Sequence, residues 1–332
     1  MLPEVEIWLR RRTSRTADWP LDRLVEHKRG RRVSVVLPAR DEAATIGTIV
    51  TTIRRALVEG TGLVDEVLVV DSRSRDATAA VADAAGATVV DQDAVLGHLP
   101  PADGKGEALW KGLAASSGDV VVAVDADLRD FDPGFVTGLL GPLLVDEGVA
   151  FAKGFYHRPL TGDGVVDVDG GGRVSELVAR PLLNLAWPRL AGFVQPLAGE
   201  FAARRELLES LPFTTGYGVE IGMLVDVLEQ AGLDAMAQVD LGHRVHRHHD
   251  LQALGRMSAQ IQLAAAARLA RSGRLVGPTP PTSMVQFRRA SGPGDGGLDR
   301  EIVETEVAVG ERPPLRDVLV SRAPRESRSV AG

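Results

Sequence analysis

Cysteine is absent from the chain, which removes disulfide frameworks and thiolate zinc sites from consideration and fits a cytoplasmic protein. No apolar run approaches the roughly 20 residues needed to cross a bilayer, so a soluble protein with no membrane span is expected. Arg10, Arg11, Arg12 and Arg15 would suit a twin-arginine export signal, but the segment from Thr13 to Leu24 is mixed and polar where such a signal needs an apolar stretch. Basic charge is also short. Lys and Arg number 38 against 45 Asp and Glu, a net charge of −7, and a nucleic-acid binder usually carries the opposite balance. No Gly-x-Gly-x-x-Gly follows the first strand pattern and Gly-x-x-x-x-Gly-Lys-[Ser/Thr] is missing, which leaves a dinucleotide dehydrogenase poorly supported.

What is present centres on Asp119 to Asp130, Asp-Val-Val-Val-Ala-Val-Asp-Ala-Asp-Leu-Arg-Asp. Five apolar residues without alternation read as a strand buried on both faces, the usual state in a parallel sheet. Asp125 and Asp127 fall where that strand gives out, and in open α/β sheets ligands collect beyond the carboxyl ends of the strands. Two acids one residue apart can face Mg²⁺ or Mn²⁺ bridging substrate phosphates. Two acids at a strand-to-loop corner are also ordinary turn formers, so the neighbours must decide.

Taken in order, residues 1–32 are basic and irregular and read as an N-terminal arm, with Trp8 and Trp19 as anchors. Val33 to Leu37 is the first strand, and Ala43 to Leu57 has helical spacing with Ile46, Ile49, Val50, Ile53 and Leu57 on one side. Val67 to Val70 and Ala87 to Val90 are further strands, separated by a short helix at Ala77 to Ala85. Gly104-Lys105-Gly106 leads into a helix from Glu107 to Ser116, followed by the Val120 strand. Strands alternating with helices at this spacing predict an α/β chain with a mostly parallel, doubly wound sheet. The nucleotide-binding half is expected to run over 33–155 and a helical second half over 156–272. At the end of the first half Val149 to Phe155 suggests an added strand; beyond it Thr161 to Gly172 reads as a loop or exposed hairpin, and Val174 to Trp187 as a helix interrupted or kinked at Pro181. Val219 to Gln230 and Leu251 to Leu269 are further helices. The tail, 273–332, is rich in Pro, Gly, Ser and Arg and is expected to be partly extended and partly disordered.

Three strand ends carry groups that suit a nucleotide: Pro38, Ala39, Arg40, Asp41 and Glu42 after the first, Asp71 and Ser72 after the second, Asp125 and Asp127 after the fourth. Any one of these is as well explained by helix capping. The three together favour one crevice. Lys105 between two glycines suits a diphosphate at a helix start, and a plain helix entry has equal weight. Gly170-Gly171-Gly172-Arg173 ahead of a helix favours an anion site over a mobile loop. His243-Arg244-Val245-His246-Arg247-His248-His249 gathers four of the seven histidines, and imidazole can join a carboxylate on a metal. Glu220 opens a helix, where an acid is favoured by the dipole alone.

The motifs Val-Val-Leu-Pro-Ala, Gly-Lys-Gly-Glu-Ala-Leu-Trp, Gly-Gly-Gly-Arg-Val-Ser-Glu-Leu-Val-Ala-Arg-Pro-Leu, Gln-Pro-Leu-Ala-Gly-Glu and Gly-Tyr-Gly-Val-Glu-Ile-Gly resemble the actinobacterial glucosyl-3-phosphoglycerate synthases. The resemblance runs from about Val33 to Gln260. It implies the A-type nucleotide-sugar glycosyltransferase fold and transfer of glucose, with retention, from UDP-glucose to the 2-hydroxyl of 3-phosphoglycerate, with Mg²⁺ or Mn²⁺ as cofactor and a homodimer as the assembly. It implies donor contacts from Pro38, Ala39, Arg40, Asp41, Glu42, Ser72, Lys105, Asp125, Ala126, Tyr217, Glu220 and Arg244. Acceptor contacts would come from Gly172, Arg173, Val174, Ser175 and His248. The metal would sit on Asp127 and His246, and Asp127 and Glu220 would serve catalysis, Glu220 by positioning substrate rather than attacking it.

The chain departs from the family pattern at Asp41, where Asn is usual, at Ala126, where Ser is usual, and at His248-His249-Asp250, where Asn-Arg-Pro is common. These changes bear on acceptor affinity and donor base, so transfer of mannose from GDP-mannose to the same acceptor is the main alternative. A sugar-nucleotide pyrophosphorylase would carry a glycine-rich loop after the first strand, and Pro38 to Glu42 has no glycine. A non-catalytic nucleotide-binding regulator would have no use for a metal at Asp127.

Overall fold

The computed structural model describes residues 1–157, 160–162, 165–167, 172–243, 250–289 and 300–320. Eight strands form the central sheet: β1 (Thr13–Arg15), β2 (Val33–Ala39), β3 (Glu66–Asp71), β4 (Thr88–Asp91), β5 (Val120–Ala123), β6 (Phe151–His157), β7 (Phe201–Arg204) and β8 (Met236–His243). Their spatial order is β1-β8-β6-β7-β5-β2-β3-β4. All neighbours are parallel except around β7, which runs antiparallel to both β5 and β6. The β-branched runs account for the buried strands. Val33, Val35, Val36 and Leu37 of β2 and Val120 to Val124 around β5 are shut off from solvent, as a sheet covered on both faces requires. Each such side chain contributes about 1.5–3 kcal/mol when fully buried.

Helices cover both faces. Ile46, Ile49, Val50 and Ile53 of the helix Ile46–Ile53 pack in one core cluster with β2 and β3, and Leu109, Trp110 and Leu113 of the helix Lys105–Ala115 pack in the other. A helix not anticipated from sequence, Gly134–Val145, is buried nearly throughout. Its apolar residues surround the whole circumference, so no 3.6-residue stripe marks it.

The first 32 residues are not an irregular arm. They form the helices Pro3–Arg12 and Leu21–Lys28, and β1 pairs in parallel with β8 at the sheet edge. Val5, Trp8 and Leu24 are buried, and Trp8 Nε1 donates to the Met236 carbonyl at 2.8 Å. Only two buried positions in a helix of ten residues leave too little periodicity to be read among so many charges. Strands from the segments 33–155 and 156–272 interleave in one sheet, so those segments are not separate bodies.

The chain from Ser175 passes through one wide helical turn, Ser175–Ala179, into Arg180–Ala186, with Pro181 in the first turn of the second piece. Of its leucines, Leu177 and Leu185 are 76% and 86% exposed, and Leu183 is buried. Leu160–Gly162 pairs antiparallel with Val165–Asp167, a hairpin within the expected loop. Much of the tail is organised too. Ser283–Arg289 pairs with Arg300–Glu306, Glu311–Arg312 pairs with Phe213–Thr214, and Val307 and Leu315 are buried. Residues 290–299 and 321–332 of that tail lie outside the described residues.

Candidate active site

The β2 and β3 strand ends meet. The Ser72 N–H donates to the Ala39 carbonyl at 2.8 Å, and the Ser72 hydroxyl donates to Gln92 Oε1 at 2.7 Å. Asp41 adopts a left-handed backbone, φ 57°, which asparagine and aspartate tolerate better than most residues. Its carboxylate accepts from the Arg75 N–H at 2.6 Å, and its own N–H donates to Ser74 Oγ at 3.0 Å. The Glu42 N–H donates to Thr78 Oγ1 at 2.8 Å. Hydrogen bonds from Thr78 above all hold the Asp76 carboxyl below the usual range. Pro38 is half-buried, Ala39 is buried and Arg40 is exposed. Backbone ties therefore fix Asp41 and Glu42 at the mouth of the sheet.

That mouth joins the β5 end through Thr45, whose hydroxyl donates to the Ala126 carbonyl at 2.6 Å. Ala126 is buried, and Asp125 and Asp127 are half-buried on either side of it. Asp125 pairs with Lys105, which also lies 3.2 Å from Glu220. Burial opposes the charge on Lys105, but Asp125, Glu220 and Glu200 outweigh it and raise the Lys105 pKa. One cation thus ties together the β5 end, the start of the helix Lys105–Ala115 and the start of the helix Val219–Ala231.

Glycines permit this convergence. Gly104 has φ +101°, and a side chain there would collide with the Gly216 backbone; one at Gly106 would collide with the Thr214 carbonyl. The Gly216–Tyr217 turn is consequently seated directly on the Lys105 helix start. Tyr217 is 48% exposed, and its N–H donates to Gln260 at 3.0 Å.

Sequence reasoning missed three members of the cluster. A methyl group at Gly199 would occupy the space of the Lys105 ammonium and of both Asp125 oxygens, so the 198–200 backbone lies against that pair. Glu200 is fully buried and acts electrostatically on Lys105. Lys153, in the middle of β6, is 2% exposed and donates to the Ala198 carbonyl at 2.6 Å. A lysine between Ala152 and Gly154 in an otherwise apolar strand was the available signal.

Gly172, Arg173, Val174 and Ser175 occupy a different helix start. Gly172 takes φ +75°, its carbonyl accepts from the Glu176 N–H at 3.0 Å, Arg173 is exposed, and Val174 and Ser175 are buried. Gly170, Gly171, Arg244, His246, His248 and His249 lie outside the described residues. Of the pair expected on a metal, Asp127 is described. A half-buried carboxylate at a strand end, one residue beyond the Ala126 carbonyl that Thr45 holds, is of the oxygen type that Mg²⁺ or Mn²⁺ takes.

Residues 34–166 match the model of glycosyl transferase family 2. The glucosyl-3-phosphoglycerate synthase of Mycolicibacterium smegmatis is 48% identical over 308 residues, which is 93% of this chain and 97% of that protein. Among solved structures, the mannosyl-3-phosphoglycerate synthase of Rubrobacter xylanophilus superposes with a TM-score of 0.86 at 44% identity, covering 95% of this chain and 98% of that one. The glucosyl-3-phosphoglycerate synthase of Mycobacterium tuberculosis, crystallised with Mn²⁺, UDP-glucose and phosphoglyceric acid, gives 0.78 at 44% identity, covering 90% and 95%.

Proposed function

This chain belongs to the glucosyl-3-phosphoglycerate synthases, and from that premise we propose that it transfers glucose from UDP-glucose to the 2-hydroxyl of 3-phosphoglycerate, retaining the anomeric configuration. The observation that carries the reading is the meeting of Lys105, Asp125 and Glu220 at the carboxyl edge of the sheet. A half-buried cation between two acids suits a site that must hold a sugar on one side and a diphosphate on the other.

In this reading Pro38, Ala39, Arg40, Asp41, Glu42 and Ser72 take the nucleoside. Lys105, Asp125 and Ala126 lie toward the diphosphate, with Arg244 on the nucleotide side. Tyr217 and Glu220 meet the glucose, and the Lys105 contact leaves Glu220 placed to orient hydroxyls rather than attack. Gly172, Arg173, Val174, Ser175 and His248 take the acceptor, with the exposed guanidinium supplying a bidentate partner for its phosphate. Asp127, with His246, would hold Mg²⁺ or Mn²⁺. That ion supplies charge neutralisation of the departing diphosphate when bound. No side chain among the described residues needs to serve as nucleophile: the acceptor hydroxyl attacks from the leaving-group face and its proton passes to a phosphate oxygen.

Lack of cysteine supports a cytoplasmic location, and no described helix is long and apolar enough to cross a membrane. A homodimer is the proposed assembly. Phe287 and Ile302 face each other across the Ser283–Arg289 and Arg300–Glu306 pair, and both are exposed with Val285 beside them, a face that a second subunit would cover.

The higher TM-score of the Rubrobacter mannosyl enzyme supports GDP-mannose as a second donor reading. One experiment decides both: UDP-glucose, GDP-glucose and GDP-mannose are offered with 3-phosphoglycerate and Mg²⁺, and product is read by mass spectrometry. Hexosyl-phosphoglycerate from UDP-glucose is expected. Transfer from GDP-mannose alone establishes the second reading, and no transfer from any donor removes the activity.

A further inference from the structure

We propose that Lys153 is a positioning residue for the transfer reaction, clamping the Ala198–Glu200 backbone from inside the sheet so that it stays seated against the Lys105–Asp125 pair. The inference rests on the glycosyltransferase reading above and adds a residue to it.

The geometry is a lever. Lys153 on β6 and Ala123 on β5 both pair in register with Phe201 of β7. The residues just before Phe201, Ala198 to Glu200, therefore run on beside the second half of β6 and past the end of β5, where Asp125 emerges. Two bonds from β6 hold that segment, Lys153 Nζ to the Ala198 carbonyl at 2.6 Å and the Gly154 N–H to the Glu200 carbonyl at 2.9 Å. Between these two anchored residues lies Gly199, which has no room even for a methyl group against Lys105 and Asp125. Any shift of this segment toward the pair meets atoms at once, and any shift away opens a gap beside them.

A buried ammonium is an expensive way to fill space. An apolar side chain of similar volume would serve packing at least as well, so the charge and its directed hydrogen bond are what Lys153 brings to this place. The charged groups acting on it are Glu220, Lys105, Glu200 and Asp125, the same set that surrounds Lys105. Burial is the largest influence and drives the Lys153 pKa down to about 8; Lys105 adds to the fall, and Glu220, Glu200 and Asp125 oppose it. Lys153 thus loses its proton within the working range of most enzymes, whereas an arginine in its place would stay charged.

The test uses the full chain with 3-phosphoglycerate, Mg²⁺ and whichever sugar nucleotide the wild type turns over, comparing wild type, Lys153→Arg and Lys153→Met from about pH 6.5 to 9.5. Wild-type kcat should fall as pH rises through about 8. Lys153→Arg should stay within about threefold of wild type at pH 7 and lose that falling limb, because its charge does not titrate. Lys153→Met should lower kcat about 10- to 100-fold at pH 7 with the acceptor KM nearly unchanged, and show no limb. A falling limb identical in all three proteins, or Lys153→Met within twofold of wild type, overturns the proposal. If the methionine variant does not fold, the arginine variant against wild type decides on the limb alone. Should the wild type turn over no sugar nucleotide, the activity reading fails by itself, and Mg²⁺-dependent UDP affinity becomes the readout. Equal affinity in wild type and Lys153→Met would then overturn the clamp, and a loss of about tenfold would uphold it.

Discussion

Lys105 Nζ stands 3.2 Å from Oε1 of Glu220 while pairing at the same time with Asp125. The two acids belong to elements far apart in sequence, so the lysine joins the early strand end to the second-half helix. Replacing it with methionine leaves two half-buried carboxylates facing each other with their shared cation gone. Lys105→Met is expected to weaken UDP-glucose binding by about 10- to 100-fold, the worth of one charge-assisted contact of about 1.5–3 kcal/mol. Titration calorimetry with Mg²⁺ and UDP-glucose checks it. Undiminished affinity would mean that the lysine serves only to neutralise the acids.

Asp127 follows Asp125 in the chain with the buried Ala126 between them. Asp125 is engaged by Lys105, and in the proposed reading Asp127 takes the divalent ion. Asp127→Ala should abolish turnover and the metal dependence of UDP binding while leaving the melting curve within a few degrees of wild type. Losing such a contact to a developing diphosphate charge costs several kcal/mol. Full wild-type activity in excess chelator would refute the metal assignment.

Arg173 is exposed beside Gly172, in a helix start distinct from that of Lys105. Arg173→Ala should raise the KM for 3-phosphoglycerate by about 10- to 100-fold, from loss of a contact of about 1.5–3 kcal/mol, and leave the donor KM nearly unchanged. Steady-state kinetics with each substrate varied in turn makes the measurement. Equal rises in both would place the arginine between the sites.

Lys153 also sets a pH dependence of stability. Its native pKa, about 8, lies below its ordinary 10.5, so between those values the unfolded chain holds the extra proton. Stability then rises with pH across that window, and the penalty of burying the charge is in force below pH 8. Two to three pKa units correspond to about 3 kcal/mol. Chemical denaturation at pH 7.5, 8.5 and 9.5 should show the rise in wild type and its loss in Lys153→Met. Parallel curves would show that the ammonium is not desolvated as described.

Local signals made much of this legible. The unbroken run from Val120 to Val124 gave a buried strand and placed Asp125 and Asp127 at its end, and the glycines around Lys105 gave a helix start. Periodicity found the helix Val219–Ala231, whose Ile221, Leu224, Val225 and Leu228 are all buried. What escaped was decided by long-range contact. The antiparallel β7 is four residues long and carries no pattern of its own. Trp8 is fixed by the Met236 carbonyl, and Lys153 by that of Ala198; neither partner can be recognised from its side chain. Gly199 showed itself as part of a motif, but that its missing side chain makes room for an ion pair is visible only in three dimensions.

The tail supplies the last such contact. Arg312 forms a bidentate pair with Glu107, its ring-facing side covers Trp110, and the Trp110 indole donates to the Pro313 carbonyl at 3.0 Å. Next to it Gly310 exchanges hydrogen bonds with Thr215, the residue before the Gly216–Tyr217 turn. The segment therefore binds both sides of the seam where Gly104 meets Gly216. Glu107 is 1% exposed, and its other cation, Lys111, is 3.8 Å away; burial lowers the Lys111 pKa although Glu107 opposes it. Arg312→Met breaks the bidentate pair, leaving Glu107 only the more distant Lys111, and should cost about 3–5 kcal/mol, whereas Glu107→Gln with Arg312→Met should recover no more than part of that, because the buried Lys111 then lacks its acid. Denaturant midpoints of wild type, the single variant and the double variant test the pair. The donor KM of the single variant tests the seam, and a rise of about threefold or more is expected if Tyr217 and Lys105 are held together by this strap. An unchanged donor KM in a clearly destabilised variant would confine Arg312 to stability.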